Sequence, residues 1–346
     1  MNSTRIPPNA AELNGKPNQA PRLLSVNGLS IGSDSRRGRA ELVREATFNV
    51  GQGEIVGMVG ESGSGKTLTA MSILGLLPNK VSIDAGSVQF QGTELVGASE
   101  STLRNIRGGQ IGYVAQDAAT ALNPVMRVGA QIIETIKAHR KIDSSEAESQ
   151  AVDLLSKMGI ADASERMRAY PHELSGGMRQ RVSISIALAC QPKLIIADEP
   201  TTALDVTVQR QIVSLLTERA REQQVSVILI THDLGLIAAV ADRILVMYSG
   251  RIVEQIEAPA LRRCQHPYTL GLLRATPQLR GPKLDFFEAI PGQPPDPWER
   301  PAGCSFHPRC SEVKSRCRND DPGLSSPAVQ CWFPVSNAPA NEVGSQ

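Results

Sequence analysis

One glycine-rich stretch constrains this chain more than any other part of its sequence. It has the pattern G-x-x-x-x-G-K-T and consists of Gly60, Glu61, Ser62, Gly63, Ser64, Gly65, Lys66 and Thr67. The apolar run at residues 54–59 before it is typical of a buried parallel strand, and residues 68–77 after it are compatible with a helix. In this order, backbone N–H groups and a helix N-terminus can enclose phosphate. The stretch therefore predicts a P-loop that binds a nucleoside triphosphate.

The residue types at the end of this loop indicate how it would hold a nucleotide. Lys66 is expected to reach the β- and γ-phosphates, and the Thr67 hydroxyl is expected to ligate Mg²⁺. Leu68, the next residue, is counted among the nucleotide contacts. An ordinary glycine turn before a helix would account for the glycines but not for the strand in front of them.

The composition of the 346 residues excludes several classes of protein. A net charge of +1 creates no field that would recruit nucleic acid or an anionic membrane surface, and an aromatic content of 3% argues against a base-stacking surface. The apolar runs are shorter than the roughly 18–20 residues of a membrane-spanning helix. Residues 1–21, predicted to be a disordered tail, contain no apolar secretion core. We expect a cytosolic chain that reaches a membrane only through a partner.

The remainder of the chain alternates between strand and helix patterns. Strands are predicted at residues 23–31, 41–50, 87–91, 110–114, 194–197, 225–230, 244–247 and 251–255. Helices are predicted at residues 128–139, 146–158 and 206–223, and a polar segment contains Arg104 and Arg107. Beyond residue 258 the composition shifts towards Pro, Arg and Cys. The sequence therefore predicts an α/β unit at residues 22–257 and a C-terminal region at residues 258–346.

A second chemical element ends the apolar strand at residues 194–197. Asp198 and Glu199 form an acidic pair there, which alone is weak support because many strands end on charged residues. Together with a P-loop, the pair is typical of a Walker B site. Asp198 would then hold Mg²⁺ through water, and Glu199 would polarise the attacking water.

A third element indicates the family. Residues 174–181 read L-S-G-G-M-R-Q-R and suit a helix N-cap with close backbone approach to an anion. A cap and a tight turn alone would not explain the place of this octet between a P-loop and a Walker B strand. The octet closely resembles the ATP-binding-cassette (ABC) signature L-S-G-G-x-x-x-R. Further motifs similar to that family follow the expected order: Gln116 (Q-loop), residues 202–205 (D-loop) and His232 (switch histidine).

This resemblance implies a fold and a mechanism. The fold is a RecA-like core with an antiparallel β-subdomain and a helical subdomain at about residues 117–190. Two cassettes pair head to tail, so that each ATP lies between one P-loop and the opposite signature. Glu199 and His232 would act in hydrolysis, and Gln116 would contact Mg²⁺ and relay the nucleotide state. The implied contacts across the dimer are Ser175, Gly176, Gly177 and Asp205.

A narrower resemblance covers residues 23–332. A-L-N-P-V-M at residues 121–126, Y-P-H-E-L at 170–174, H-P-Y-T at 266–269 and I-P-G at 290–292 are similar to the peptide/nickel importer ATPases, the dipeptide/oligopeptide permease family. The likeness implies a nucleotide-binding subunit of a bacterial ABC importer, peripheral to the cytoplasmic face of the inner membrane. Implied partners are two membrane-spanning permease subunits, a second cassette subunit (a paralogue or another copy) and an extracytoplasmic solute-binding protein.

Two other classes of function fit the sequence less well. A soluble ABC ATPase of translation or DNA repair would carry two cassettes or a long coiled-coil or zinc insertion, and this chain has neither. A purely regulatory module that does not hydrolyse ATP is not supported, because Glu199 and His232 are both present.

The contact to adenine departs from the family pattern. Members usually place an aromatic residue in the first β-hairpin to stack on the base, but residues 31–34 here contain none. Adenine could lie against an apolar side chain or under Arg36, Arg37 or Arg39. Alternatively, the base contact is weak, and affinity comes from the phosphates and Mg²⁺.

Four cysteines form a second candidate site. Cys304, Cys310, Cys317 and Cys331 have the spacing C-x5-C-x6-C-x13-C. Disulfides are disfavoured in a reducing cytosol. Cysteines that only fill a hydrophobic core are an alternative, but core packing does not require any particular number of them in one region. Zinc and iron–sulfur clusters both accept four cysteines, although zinc sites usually show closer pairs. The wide spacing and the resemblance to permease ATPases with a cysteine-rich tail favour a structural [4Fe–4S] cluster, with zinc second and His307 as an alternative ligand.

Overall fold

The structure, a computed structural model, describes residues 22–201, 205–276, 289–323 and 328–335. The strands in these ranges are β1 Arg22–Ser35, β2 Gly38–Gly51, β3 Ile55–Val59, β4 Val81–Phe90, β5 Thr93–Glu94, β6 Ile111–Val114, β7 Leu194–Asp198, β8 Ser226–Thr231, β9 Arg243–Tyr248 and β10 Arg251–Glu257. The α-helices are α1 Lys66–Ile73, α2 Glu100–Ile106, α3 Ala118–Ala121, α4 Val128–His139, α5 Ser144–Lys157, α6 Ala163–Arg166, α7 Gly176–Leu188, α8 Val206–Glu222, α9 Leu234–Val240, α10 Pro267–Ala275 and α11 Ser315–Asn319.

The strands form two sheets. The larger has the order β10-β9-β3-β8-β7-β6 and is parallel except for the antiparallel β9–β10 pair. The smaller is antiparallel, with the order β2-β1-β4-β5. Because β3 runs parallel to its neighbours β8 and β9, the loop that follows it emerges at the carboxyl edge of the sheet. This is the edge where α/β folds bind ligands.

Both faces of the parallel sheet are buried. Along β3, Ile55 and Val59 enter the hydrophobic core that contains α8 and α9. Val56 and Met58 point to the opposite face and join the core that the antiparallel sheet and α1 complete. Such two-sided burial explains why these strands read as continuous apolar runs without alternation. Residues of α4, α5 and α7 build a third core, that of the helical subdomain.

The predicted elements are present, with differences at their ends. The helix predicted to run to Leu77 ends at Ile73, where Leu74 caps it and Gly75 follows in the left-handed region at φ 62°. The polar segment around Arg104 forms α2, since Ser99 accepts a hydrogen bond from the Thr102 N–H as a helix cap. The first two strands extend to a turn at residues 36 and 37.

The C-terminal region packs on the cassette. Tyr268 of α10 and Phe306 belong to the same buried core as Tyr248 of β9. Val329 forms an isolated antiparallel bridge with Glu254 of β10. In the described ranges, no helix is both long enough and apolar enough to span a bilayer.

Candidate nucleotide site

The glycine loop joins β3 to α1 in a conformation that depends on its glycines. Gly63 and Gly65 have φ values of 75° and 105°, in the left-handed region. A Cβ added to Gly60 would lie 2.1 Å from the Met247 carbonyl oxygen, so that position has no room for a side chain. Gly65 is the N-cap of α1 and has no side chain to bond the first helical N–H groups. The loop therefore presents a helix N-terminus and backbone N–H groups to an anion.

The end of the loop carries a buried cation and a hydroxyl. Lys66 Nζ donates to the carbonyl oxygens of Gly60 and Glu61, both at 2.9 Å, and burial lowers the pKa of its ammonium group. Thr67 Oγ1 lies 3.1 Å from Asp198 Oδ1, which joins the loop to the end of β7. A carboxylate beside a hydroxyl is a donor set suited to Mg²⁺, which often takes few protein ligands together with phosphate oxygens and water.

Asp198 also has a partner that the sequence did not indicate. Tyr113, in β6, donates its hydroxyl to Asp198 Oδ2 at 3.4 Å. Burial and the carboxylate raise the pKa of Tyr113 to about 12, so the phenol stays a hydrogen-bond donor. Burial likewise raises the pKa of Asp198, and a bound cation would favour its ionised form.

Three polar side chains meet at the ends of three adjacent strands. Gln116 Nε2 lies 3.4 Å from Glu199 Oε2, and His232 Nδ1 lies 3.5 Å from the same oxygen. Gln116 follows β6, Glu199 follows β7 and His232 follows β8. Glu199 has φ 44°, an uncommon conformation for a non-glycine residue that occurs at functional sites. The parallel sheet thus places an amide and an imidazole around one carboxylate.

Ser175 of the signature and Asp205 of the D-loop each cap a helix. Ser175 is exposed and caps α7 by accepting a hydrogen bond from the Met178 N–H at 3.3 Å. Asp205 is exposed and caps α8 by accepting from the Val208 N–H at 2.9 Å. Residues 202–204 of the D-loop lie outside the described part of the chain. Within the described part, no hydrogen bond joins residues 175–177 or Asp205 to the P-loop.

The C-terminal region supplies contacts to the P-loop that sequence reasoning missed. Arg309 pairs with the Glu61 carboxylate at 2.6 and 2.8 Å, and the Tyr268 hydroxyl accepts a hydrogen bond from the Glu61 N–H at 2.9 Å. The sequence separations are 248 and 207 residues. The sequence signal nearest to these contacts is the H-P-Y-T stretch at residues 266–269, which contains Tyr268 and marks the family but not the site.

The first hairpin is the place where an adenine contact was expected. Arg39 forms ion pairs with Asp34 and Asp84, and Arg37 pairs with Asp296 at 3.6 Å. Trp298 approaches the hairpin turn from the C-terminal region, where its Nε1 donates to the Gly38 carbonyl oxygen at 3.3 Å. Two of the three candidate arginines thus have carboxylate partners, and an indole lies beside the turn.

The four cysteines of the C-terminal region line one small pocket, together with His266, His307 and Trp332. All four are free thiols. Burial raises the pKa of Cys304 and of Cys310 to about 11, and the other cysteines of the group add to the shift. His307 Nδ1 lies 3.0 Å from the Cys304 carbonyl oxygen. In the described ranges, however, no group of three or more His, Cys, Asp or Glu side chains is arranged to hold a metal ion, so this geometry does not show the expected cluster.

Comparison with known proteins agrees with this geometry. The sequence matches the ABC transporter family over residues 43–202 and the C-terminal region of oligopeptide/dipeptide transporters over residues 254–317. It is 44% identical over 323 residues to the dipeptide transport ATP-binding protein DppD of Escherichia coli (strain K12), covering 91% of this chain and 98% of the relative. It is 45% identical over 307 residues to the oligopeptide transport ATP-binding protein OppD of Salmonella typhimurium, covering 88% and 91%.

The fold is also similar to that of solved cassettes. The dimeric, post-hydrolysis structure of the ATP-binding cassette MJ0796 bound to ADP and Pi matches with a TM-score of 0.62 at 24% identity. The match covers 68% of this chain and 98% of that one. At this identity the likeness concerns the fold alone.

Proposed function

The chain belongs to the ABC transporter ATPases, in the branch of the dipeptide and oligopeptide importers, and from this premise we propose that it is the ATP-hydrolysing subunit of a peptide importer. The observation that carries the proposal is the convergence of Gln116 and His232 on Glu199 beside the P-loop. A purely nucleotide-binding module would need the loop but not this group. The alternatives of a soluble ATPase and a regulator without hydrolysis have no comparable support.

The proposed chemistry assigns a separate task to each side chain. Glu199 polarises the attacking water, and His232, close to the same oxygen, orients the carboxylate and the reacting phosphate. Lys66 neutralises phosphate charge. Thr67 and Asp198 would hold Mg²⁺, which when bound neutralises charge on the phosphate oxygens. Catalysis of this kind requires positioning and charge neutralisation more than covalent steps.

The proposed working unit is a pair of cassettes. Ser175 and Asp205 cap their helices at exposed positions and form no hydrogen bond with the P-loop among the described residues, which suits contacts to a nucleotide held by a second cassette. The complete importer would add two membrane-spanning permease subunits and an extracytoplasmic solute-binding protein. The chain would then lie at the cytoplasmic face of the inner membrane through those subunits.

The cysteine pocket supports a second, finer proposal of a structural [4Fe–4S] cluster, with zinc as the alternative. Its support is that four thiols line one pocket and that each thiolate would repel the others, a cost that a bound cation relieves. Cys304, Cys310, Cys317 and Cys331 would be the ligands, and they take no part in hydrolysis.

Metal analysis tests the cluster. Protein purified without oxygen should be brown and contain about four irons per chain. Cys310→Ser should lose the iron, while Cys190→Ser, outside the pocket, should keep it. Stoichiometric zinc would favour the alternative, and metal-free protein with four reactive thiols would refute both.

Reconstitution tests the transport function. Co-expressed with its two membrane-spanning subunits, the chain should co-purify with them and hydrolyse ATP. In vesicles, ATP should drive peptide uptake, and hydrolysis should increase when peptide-loaded binding protein is added. A chain that hydrolyses ATP but never associates with those subunits would instead be a soluble ABC ATPase.

A further inference from the structure

Glu61, the second residue of the P-loop, forms hydrogen bonds through its carboxylate, its backbone N–H and its carbonyl oxygen. Its carboxylate receives two parallel hydrogen bonds from Arg309, from Nη1 at 2.6 Å and from Nη2 at 2.8 Å. Its N–H donates to the Tyr268 hydroxyl at 2.9 Å, and its carbonyl oxygen accepts from Lys66 at 2.9 Å. Two of these three contacts come from the C-terminal region. The first turn of the phosphate loop is therefore held by residues outside the sequence motif.

The two groups that contact Glu61 are themselves fixed in place. The Arg309 side chain is 4% exposed, and its Nε donates to the Pro291 carbonyl oxygen at 2.8 Å. The Tyr268 ring packs on the rings of Tyr248 and Phe306 at centroid distances of 4.6 and 5.3 Å. A planar guanidinium in a fixed fork matches a carboxylate in one orientation only. This arrangement defines the position of Glu61 more sharply than a flexible surface pair would.

Because Glu61 is charged, its contact with Arg309 affects ligand binding as well as packing. A carboxylate within a loop that binds triphosphate would repel its ligand if it were unpaired. Arg309 neutralises that charge. Buried ion pairs are weak evidence for net stability, but removal of one partner leaves an uncompensated charge behind. In this case the uncompensated charge would lie next to the phosphate site.

We propose that Arg309 and Tyr268 are positioning residues for nucleotide binding, which hold Glu61 and the first turn of the P-loop in the form that accepts triphosphate. This inference rests on the proposed ATPase function. Arg309 directly precedes Cys310, whose side chain lines the cysteine pocket. A single short segment thus contacts the P-loop through one residue and the pocket through the next. The C-terminal region is therefore part of the nucleotide site.

Equilibrium binding of Mg-ATP to the full-length chain tests the proposal. Arg309→Met should weaken binding about tenfold or more, the effect of a lost charged hydrogen bond and an unpaired carboxylate. In the assembled complex, KM for ATP should rise in parallel while kcat changes little, because Arg309 does not contact the reacting atoms. Arg316→Met is the matched control, since Arg316 lies in the same region but pairs with Asp320, away from the P-loop.

A double variant separates positioning from mere folding. Glu61→Gln combined with Arg309→Met removes the unpaired charge and should recover part of the lost affinity, and the part that is not recovered at an unchanged Tm is the contribution of positioning. The proposal is overturned if Arg309→Met binds Mg-ATP as tightly as the wild type does. It is also overturned if the loss of affinity accompanies a lower Tm and the double variant recovers none of it. If Arg309→Met does not fold, Tyr268→Phe is the variant to measure. It should bind Mg-ATP about two- to fivefold more weakly than the wild type, and unchanged binding would contradict the proposal. Wild-type protein that binds no ATP would refute the ATPase function itself.

Discussion

The two ends of the P-loop are held by different parts of the molecule. At the C-terminal end, Thr67 bonds to Asp198 at the end of β7, in the parallel sheet that also contains β3. At the N-terminal end, Glu61 is held by Arg309 and Tyr268, both from the C-terminal region. The first contact joins the two residue types with which P-loop NTPases hold Mg²⁺, a loop Ser or Thr and a Walker B Asp. The second depends on a region that lies outside the core cassette.

This difference separates chemistry from positioning. The groups proposed to act on phosphate and water lie at the carboxyl ends of parallel strands, whose register sets their distances. The groups that hold Glu61 depend on packing among Tyr248, Tyr268 and Phe306. Changes at the sheet edge should therefore alter turnover, and changes in the C-terminal region should alter binding or stability.

The largest expected effect lies at the sheet edge. Glu199→Gln should lower ATP turnover at least about a hundredfold, since an amide cannot polarise water as a carboxylate does. Binding of ATP should be retained, and with chemistry blocked the closed cassette dimer should accumulate in the assembled complex. Steady-state ATPase assays and nucleotide binding on the same preparation check both parts.

Lys66→Ala is the contrasting variant for the same measurement. It removes a phosphate contact and should weaken binding as well as turnover. Turnover near the wild-type rate in Glu199→Gln would show that another group polarises the water.

The elements that the sequence predicts well are those whose structure is determined by neighbouring residues in the chain. The helix predicted at residues 128–139 has the same bounds in the structure, because its apolar face repeats with helical spacing. The P-loop could be predicted because its strand, glycines and helix are contiguous. Gln116 and His232 are indicated by the resemblance to the ABC family, and they meet Glu199 because all three follow strands of one parallel sheet. The roles of these three residues stay predictions until the variants are assayed.

The elements that sequence did not predict depend on distant partners. Arg309 stands among cysteines and prolines, and no local pattern indicates a carboxylate 248 positions away. The sequence does not predict helix α2, because only Leu103 and Ile106 of its residues are buried, too few for a clear apolar period. The Ser99 cap was the signal that could have identified it.

A smaller effect is expected at Gln116, which connects the sheet edge to the helical subdomain. Gln116→Ala should lower the amount of peptide transported per ATP hydrolysed severalfold. Gln116 contacts Glu199 and stands at the start of the segment that leads to exposed Val125, so its removal breaks the connection between the site of hydrolysis and that exposed surface. Uptake and hydrolysis measured together in reconstituted vesicles give the ratio. Gln223→Ala, at the exposed end of α8, is the control. An unchanged ratio would assign the coupling contact to another residue.

The most local effect concerns the C-terminal region alone and arises from His266. The side chain is buried, and burial lowers its pKa to about 4 from a usual value near 6.5. The unfolded chain therefore binds a proton between pH 6.5 and 4 that the folded chain does not. The stabilising effect is fully present above pH 6.5 and is lost as the pH falls towards 4, by at most about 3 kcal/mol.

Tryptophan fluorescence can follow this loss locally, because both tryptophans of the chain, Trp298 and Trp332, lie in the C-terminal region. In urea titrations the midpoint should fall between pH 6.5 and pH 4 for the wild type and fall less for His266→Asn, since asparagine can still cap α10 but does not titrate. Burial raises the pKa of neighbouring Glu254, so its contribution has the opposite sign and is common to both proteins. Equal pH dependence in the two would show that His266 does not govern the acid stability of the region that holds Glu61.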